Sequence, residues 1–319
     1  MESNHLCSGR VLVYGASGLI GLNLLKVLSH RPEVTELVAI SQRGVPIKFL
    51  ELLQGDVSRI REYSSLDEAD GKFEYIFHCG GTSQPSRFTG NPSKVVIENL
   101  FSIPALVSKL SRTGRIIYSS STEIYNGCPD QPCTEDHRGI IEGTAARRIY
   151  TESKELSELA IFHFLNEEKS VSIARIAPVF GPGVYPDDAR VLNQFVREGL
   201  AGEVVVRGNP EALRSYTYID DFTRMFVSLS WLPPSTYNIG GDQRPVTMRS
   251  IAERIASLTK SRVLYADDRQ TFEQNIGKAP LIVHTSMEKY LKLVQPEPPT
   301  SLEDGLASTV DWFRAVSNL

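Results

Sequence analysis

Arg10-Val11-Leu12-Val13-Tyr14-Gly15-Ala16-Ser17-Gly18-Leu19-Ile20-Gly21 is the stretch on which the fold turns. Arg10 to Tyr14 is a short, mostly apolar run that stops at a glycine, as a strand buried in a parallel sheet does. Leu24, Leu25, Val27 and Leu28 then recur with helical spacing within Leu19 to Ser29. A strand, a glycine turn and a helix in that order form the context of a dinucleotide fingerprint, here spaced G-x-x-G-x-x-G. Gly15 permits the tight turn. Gly18 lets a pyrophosphate reach the helix N-terminus, and Gly21 lets the helix pack close to the strand. Ser17, Leu19 and Ile20 share that loop and first helical turn, so they join the expected cofactor contacts.

Further along, the alternation repeats. Glu36 to Ile40, Glu74 to His78, Arg115 to Ser119 and Val171 to Ile176 read as strands. Pro92 to Leu110 and Arg147 to Glu167 read as helices, the first kinked or broken by Pro104. The expected fold is α/β, a Rossmann-type doubly wound parallel sheet that binds NAD(P) over residues 1–176. Beyond Pro178, Gly181-Pro182-Gly183, Tyr185-Pro186 and Gly208-Asn209-Pro210 are turn-rich. Residues 177–319 are assigned mainly to a smaller C-terminal α/β substrate domain, with a short return to the sheet near 237–241 and a last helix from Ser301 to Ser317.

The second strand leads into Ile40-Ser41-Gln42-Arg43, where an acid would bind an adenosine ribose. No acid is present, and Arg43 is placed to meet a 2′-phosphate, with Ser41 beside it. That tilts the cofactor, NAD or NADP and held tightly, toward NADP. Gly55-Asp56-Val57 reads as the loop under the adenine, with Asp56 accepting from its amine.

Tyr150-Thr151-Glu152-Ser153-Lys154 carries the chemistry. Tyr and Lys at i and i+4 share a helix face, about 5–6 Å apart at Cβ. An ammonium beside a phenol favours the phenolate. The hydroxyl of Ser121 can share the proton that the phenol trades with a substrate alcohol. Together with the glycine loop, these parts describe the oxidation of a secondary alcohol by hydride transfer to a nicotinamide.

Composition narrows the classes. The chain has 319 residues, 41% of them hydrophobic, and a formal net charge of -4. That charge indicates neither nucleic acid nor membrane surface as a partner. The sequence shows no apolar run of bilayer length and no apolar signal core in Met1 to Arg10, so a cytoplasmic location is expected. Cys7, Cys79, Cys128 and Cys133 are too few for a disulfide framework. Cys128 and Cys133 with His137 make three ligands at best; they read as free thiols in a loop, and no metal is expected.

These segments resemble those of the extended short-chain dehydrogenase/reductases, and among them the NAD-dependent epimerase/dehydratase family of nucleotide-sugar-modifying enzymes. The likeness runs from Gly15–Gly21 through Asp56-Val57, His78 to Gly81, Asn91-Pro92 with Asn99, Ser119 to Tyr125, Tyr150 to Lys154, Arg175 to Gly183, Arg214 to Asp221, and Tyr237 to Gly240. It implies that Tyr150 takes the proton of the sugar 4-hydroxyl. Lys154 would hold the nicotinamide ribose, and Ser121 would bond the same 4-hydroxyl. Gly80, Gly81 and Asn99 would line the cofactor path. Arg214 would clamp the substrate diphosphate, with Ser83 and Arg147 also facing substrate and Arg147 meeting a sugar carboxylate. Thr122 and Glu123 carry the subtype signal: dehydratases and decarboxylases of the family tend to have Glu at the position of Glu123. The resemblance further implies a homodimer through helices near 92–110 and 147–167.

Two departures stand out: Pro178 occupies a position where the family often has Asn, and strand two lacks its ribose acid. The expected activity is oxidation of a nucleotide sugar at C4 to a 4-keto intermediate, followed by dehydration or decarboxylation if Glu123 is catalytic. If Glu123 is structural, the expectation becomes a 4-epimerase. The same Ser/Tyr/Lys set also suits an NADPH-dependent 4-keto-sugar reductase, and a dinucleotide sensor is the non-enzymatic alternative.

Overall fold

The computed structural model describes residues 7–81, 91–139, 145–165, 170–241, 245–266 and 282–317, with backbone alone at 145–147 and 282–283. Its centre is a seven-stranded sheet. Six of the strands are β1 (Gly9–Tyr14), β2 (Val34–Ile40), β3 (Ile60–Tyr63), β4 (Phe73–His78), β5 (Leu110–Ser121) and β6 (Ser170–Ile176). Five shorter strands follow: β7 (Val179–Phe180), β8 (Glu203–Val206), β9 (Leu213–Arg214), β10 (Thr217–Tyr218) and β11 (Thr236–Ile239). The sheet runs β11-β6-β5-β4-β1-β2-β3, and every adjacent pair is parallel. The order reverses between β1 and β4, which opens a crevice at their carboxyl ends, where such sheets bind ligands.

Alternation along the strands explains the layers. Val11 and Val13 of β1, Leu37 and Ala39 of β2 and Phe77 of β4 face one apolar cluster. Leu12, Val38, Ile40 and Ile76 face the other, as a period of two demands. The first layer is covered by Leu19, Leu22 and Leu25 of the helix Leu19–Ser29 and by Phe222 and Phe226 of the helix Ile219–Ser228. The second is covered by Ile103, Leu106 and Val107 of the helix Ser102–Lys109 and by Ile161 of the helix Ala145–Phe164.

Pro104 does break the expected helix, but upstream of itself. Pro92–Leu100 and Ser102–Lys109 are separate helices that meet at Phe101. A proline cannot donate to the carbonyl four residues back and its ring clashes there, so the ladder fails around Leu100.

After β6 the core does not stop. Phe180, Phe195, Ile251 and Phe313 belong to the same cluster as Val11 and Leu22. The later chain adds the pairs β10–β7 and β13 (Arg262–Tyr265) with β8, and a three-stranded sheet in which β9 is flanked by β12 (Val246–Thr247) and β14 (Ile282–Val283). The closing helix Leu302–Val316 begins where the side chain of Ser301 caps the Asp304 N–H.

Candidate active site

The glycine turn packs backbone against backbone. Gly15 has φ of 80°, and a Cβ there would lie 2.5 Å from the Cα of Gly80, so the turns after β1 and β4 touch. A Cβ on Gly21 would lie 2.4 Å from the Gly15 carbonyl oxygen. At Gly18 the nearest atom is 3.6 Å away, so this residue faces open space at the N-cap of its helix. No side chain caps that helix, and its first turn holds no acid. Its first N–H groups have no intrahelical acceptors and form a seat for an anion. Ser17 and Leu19 are buried beside this seat and Ile20 is half-buried.

Lys154 is 4% exposed, and its Nζ donates to the Ser119 carbonyl at the end of β5 (3.0 Å). It also lies 5.2 Å from the Tyr118 ring centroid. Burial lowers its pKa to about 8, with the nearby Cys79 and Glu158 acting the other way. Tyr150, one turn earlier on the same helix, is 6% exposed and packs on Val95. That helix also packs against the short 3-10 turn Thr122–Tyr125, which continues from Ser121. The Ser121 hydroxyl accepts from the Glu123 N–H (3.2 Å) and caps this turn. Thr122 donates to the Ile176 carbonyl (3.2 Å), a bond that ties β5 to β6. Glu123 is half-buried.

Asn99 tests whether these residues fit a dinucleotide. It is fully buried, and its Nδ2 donates to Ser153 (3.0 Å), while its Oδ1 has no partner. A Cβ on Gly81 would sit 2.2 Å from that oxygen and 3.7 Å from Lys154 Nζ. An acceptor and an ammonium therefore converge beside Gly81. Buried polar atoms rarely stay unsatisfied. A ribose with its hydroxyls fits this pair, so the residues present suit a dinucleotide from the Gly18 seat to Lys154.

At the far end, Ser41 is buried and bonds its hydroxyl to the Gly44 carbonyl (3.3 Å). The Arg43 guanidinium lies 5.3 Å from the Tyr185 ring centroid, a stacking partner that the sequence reading missed. Asp56 accepts from both the N–H (3.1 Å) and the hydroxyl (2.6 Å) of Ser58, which lowers its pKa. Val57 packs against the core. On the substrate side, Arg214 forms part of β9 and its Nη1 donates to the Leu213 carbonyl (2.7 Å). Ser83 and the Arg147 side chain lie outside the described residues.

Sequence reasoning also missed the buried ion pair behind Lys154. Glu158, one turn further along the helix, holds Arg175 of β6 through both oxygens and accepts from Ser120. Arg175 also donates to the Tyr125 hydroxyl (3.0 Å) and the Glu135 carbonyl (2.7 Å). The Tyr125 hydroxyl donates to Asn238 Oδ1 (2.7 Å). The i+4 spacing from Lys154 to Glu158 was the available signal. His78 is fully buried between Tyr14 and Tyr118, with ring centroids 5.2 and 4.7 Å away. Burial, and then the charge of Lys154, pushes its pKa down to about 3, so it stays neutral.

Residues 11–240 match the NAD dependent epimerase/dehydratase family. The chain belongs to that family. UDP-glucuronic acid decarboxylase 1 of Xenopus tropicalis is 26% identical over 322 residues, covering 96% of this chain and 72% of the relative. Among solved structures, the NAD-bound dTDP-glucose 4,6-dehydratase of Streptomyces venezuelae superposes with a TM-score of 0.81 at 21% identity, over 97% of this chain and 98% of that one. The UDP-glucuronic acid 4-epimerase of Bacillus cereus, with UDP-glucuronic acid and NAD, gives 0.78 at 20% identity, over 96% and 99%. The cradle from Gly15 to Lys154 lies at the carboxyl ends of the central strands β1, β4 and β5.

Proposed function

We propose that this protein is an enzyme that oxidises a nucleotide-diphosphate sugar at C4 and then decarboxylates or dehydrates it, with decarboxylation of a uronic acid favoured. The carrying observation is the convergence of buried Lys154 and unpartnered Asn99 Oδ1 on Gly81, one helical turn from Tyr150. The curated relatives named as UDP-glucuronic acid decarboxylases support the second step. Residues beyond 177 serve as the substrate-binding part, with Arg214 on the diphosphate.

A nicotinamide dinucleotide held along Gly15–Gly21, Gly81, Asn99 and Lys154 would supply the hydride acceptor for C4. Tyr150 takes the proton of the 4-hydroxyl, helped by Ser121, while the Lys154 ammonium favours the phenolate. The C4 ketone then lies β to a C5 carboxylate. Loss of carbon dioxide leaves the bonding pair in the enolate, and a proton must be delivered to C5. Glu123 is the group we assign to that second step, and in a dehydratase it would remove the C5 proton instead. If Glu123 is only structural, the chain runs as a 4-epimerase.

The test is product mass after incubation with UDP, GDP, CDP and dTDP sugars and uronic acids. Loss of carbon dioxide or of water supports the reading, and an unchanged mass with inverted C4 overturns it. Glu123→Gln should cut product formation about 10²-fold. The first oxidation should persist, visible as reduced-nicotinamide absorbance on mixing with substrate. Normal product formation by this variant would favour the epimerase.

Arg43 bears on the choice of cofactor. A charge-assisted contact to a 2′-phosphate contributes about 1.5–3 kcal/mol. Arg43→Ala should therefore weaken NADP about tenfold or more in a calorimetric titration and leave NAD within about two-fold. Equal losses would mean that Arg43 reads no 2′-phosphate.

A homodimer also fits. Phe101 is 67% and Leu159 61% exposed, and Ile97, Leu156, Phe162 and Phe164 are exposed with them on the helices Pro92–Leu100 and Ala145–Phe164 and at the break after the first. These helices pack side by side. Exposed large apolar side chains gathered on two paired helices are normally covered. No helix among the described residues is long and apolar enough to cross a membrane.

A further inference from the structure

The loop that leaves the Ser121–Tyr125 turn closes on itself, because the Gly139 N–H donates to the Ile124 carbonyl (2.9 Å). Its interior is small: Ile124, Tyr125, Cys128 and Cys133 form an apolar cluster of their own. Both thiols turn to one point. Cys133 Sγ lies 3.2 Å and Cys128 Sγ 3.5 Å from the carbonyl oxygen of Asp130. His137 completes the group, with its ligand atom and both sulfurs within 4.8 Å of one another. Among the described residues no other trio of His, Cys, Asp and Glu side chains converges this way.

We propose that Cys128, Cys133 and His137 form a site for a tetrahedral, borderline-soft divalent cation, zinc first, with water as its fourth ligand. The donor set decides the class: two thiolates and an imidazole suit zinc, whereas magnesium and calcium require oxygen. His137 Nδ1 accepts from the Thr134 N–H (3.1 Å). The ring proton therefore sits on Nε2, and Nδ1, whose single lone pair takes that N–H, binds the cation by giving up this bond. Tetrahedral Zn–S bonds of about 2.3 Å place two sulfurs about 3.8 Å apart, so the sulfurs, already within 4.8 Å of each other, close by no more than about an ångström. Two thiol protons leave to solvent and no electron moves.

The site would staple three parts of the chain. The Cys133 N–H donates to the His284 carbonyl (2.9 Å), and the Ser286 N–H to that of Cys133 (2.8 Å). Asn238 Nδ2 bonds both the Cys133 and Ser286 carbonyls (3.0 Å each). Glu135, two residues on, accepts from the Asn238 N–H through its carboxylate and from Arg175 through its carbonyl. A cation in this loop therefore fixes the segment next to Ser121 and Glu123 against the edge of the sheet. A cluster of only four side chains gives such a loop little apolar burial, and an ion compensates for that.

The full chain is purified under reducing conditions without chelator, its zinc is counted by elemental analysis, and Co2+ is titrated into the stripped protein. About one zinc per chain, lost in both Cys128→Ser and His137→Ala, supports the site. So do tetrahedral cobalt bands with thiolate charge transfer, read on the unmutated chain in case the variants fold poorly. Chelation should lower Tm by about 3 °C or more. Absence of zinc and of cobalt bands in the reduced protein overturns the proposal, as does full zinc retention in both variants. A Cys128–Cys133 disulfide whose reduction yields no metal uptake also overturns it. None of these readouts depends on turnover.

Discussion

Replacing Tyr150 with Phe lowers turnover by about 10²–10⁴-fold, the usual contribution of a general acid–base group, and leaves cofactor affinity within about two-fold. The substitution removes one oxygen. The ring keeps its packing on Val95, because Tyr150 is 6% exposed and a phenyl fills the same space. Lys154 and Asn99 are untouched, so the ribose seat at Gly81 stays built. Steady-state rates with the substrate found by the mass screen, alongside cofactor titration by fluorescence, give both numbers. Activity within a few-fold of the parent would remove Tyr150 from the reaction. Loss of cofactor binding equal to the loss of rate would make it a ribose contact instead.

Breaking the Glu158–Arg175 pair is the second large effect. Burial by itself would lower the pKa of Arg175, but the hydrogen bonds and charge of Glu158 more than offset this and raise it. The side chains are 9% and 12% exposed for Glu158 and Arg175, so neither can find bulk water if its partner disappears. Glu158→Gln leaves a buried guanidinium without its anion, which costs about 3–5 kcal/mol. In a chain of this size that is roughly 5–10 °C of Tm by calorimetry. Glu158→Gln with Arg175→Met should recover part of the loss, because a buried pair replaced by apolar groups is often close to neutral. A single variant within about 1 kcal/mol of the parent would show that the pair is wetter than its exposure indicates.

The sheet was legible because its signals are local. Val11 to Gly21 states strand, turn and helix within a dozen residues, and Pro104 announces a break close to where Leu100 ends its helix. The cradle glycines were legible for the same reason. Glu158 and Arg175 were not, because Arg175 lies 17 residues beyond Glu158 and only the packing of the helix on the sheet brings them together. Tyr185 under Arg43 was hidden likewise, since Tyr185 comes from a loop far along the chain from Arg43. Asp56 shows a different shortfall. Its role as acceptor is visible in sequence, but two of its bonds are already made to Ser58, two residues away. The cysteine loop was read by counting ligands, and counting gives no direction; folding aims both sulfurs at one carbonyl.

The return of the chain as β11 has a consequence for how this protein can be divided. β11 covers β6 along Ile173 to Ile176. A fragment ending at 176 would expose that strand as a raw hydrogen-bonding edge and invite pairing with other chains. It would also uncover Leu22 and Leu25, which share a cluster with Phe222 and Phe226. The nucleotide half is therefore not a module that can be cut out, grafted or recombined at that point. Residues 177–235 are tied at both ends to the sheet, through β6 and β11, so free swinging is closed to them.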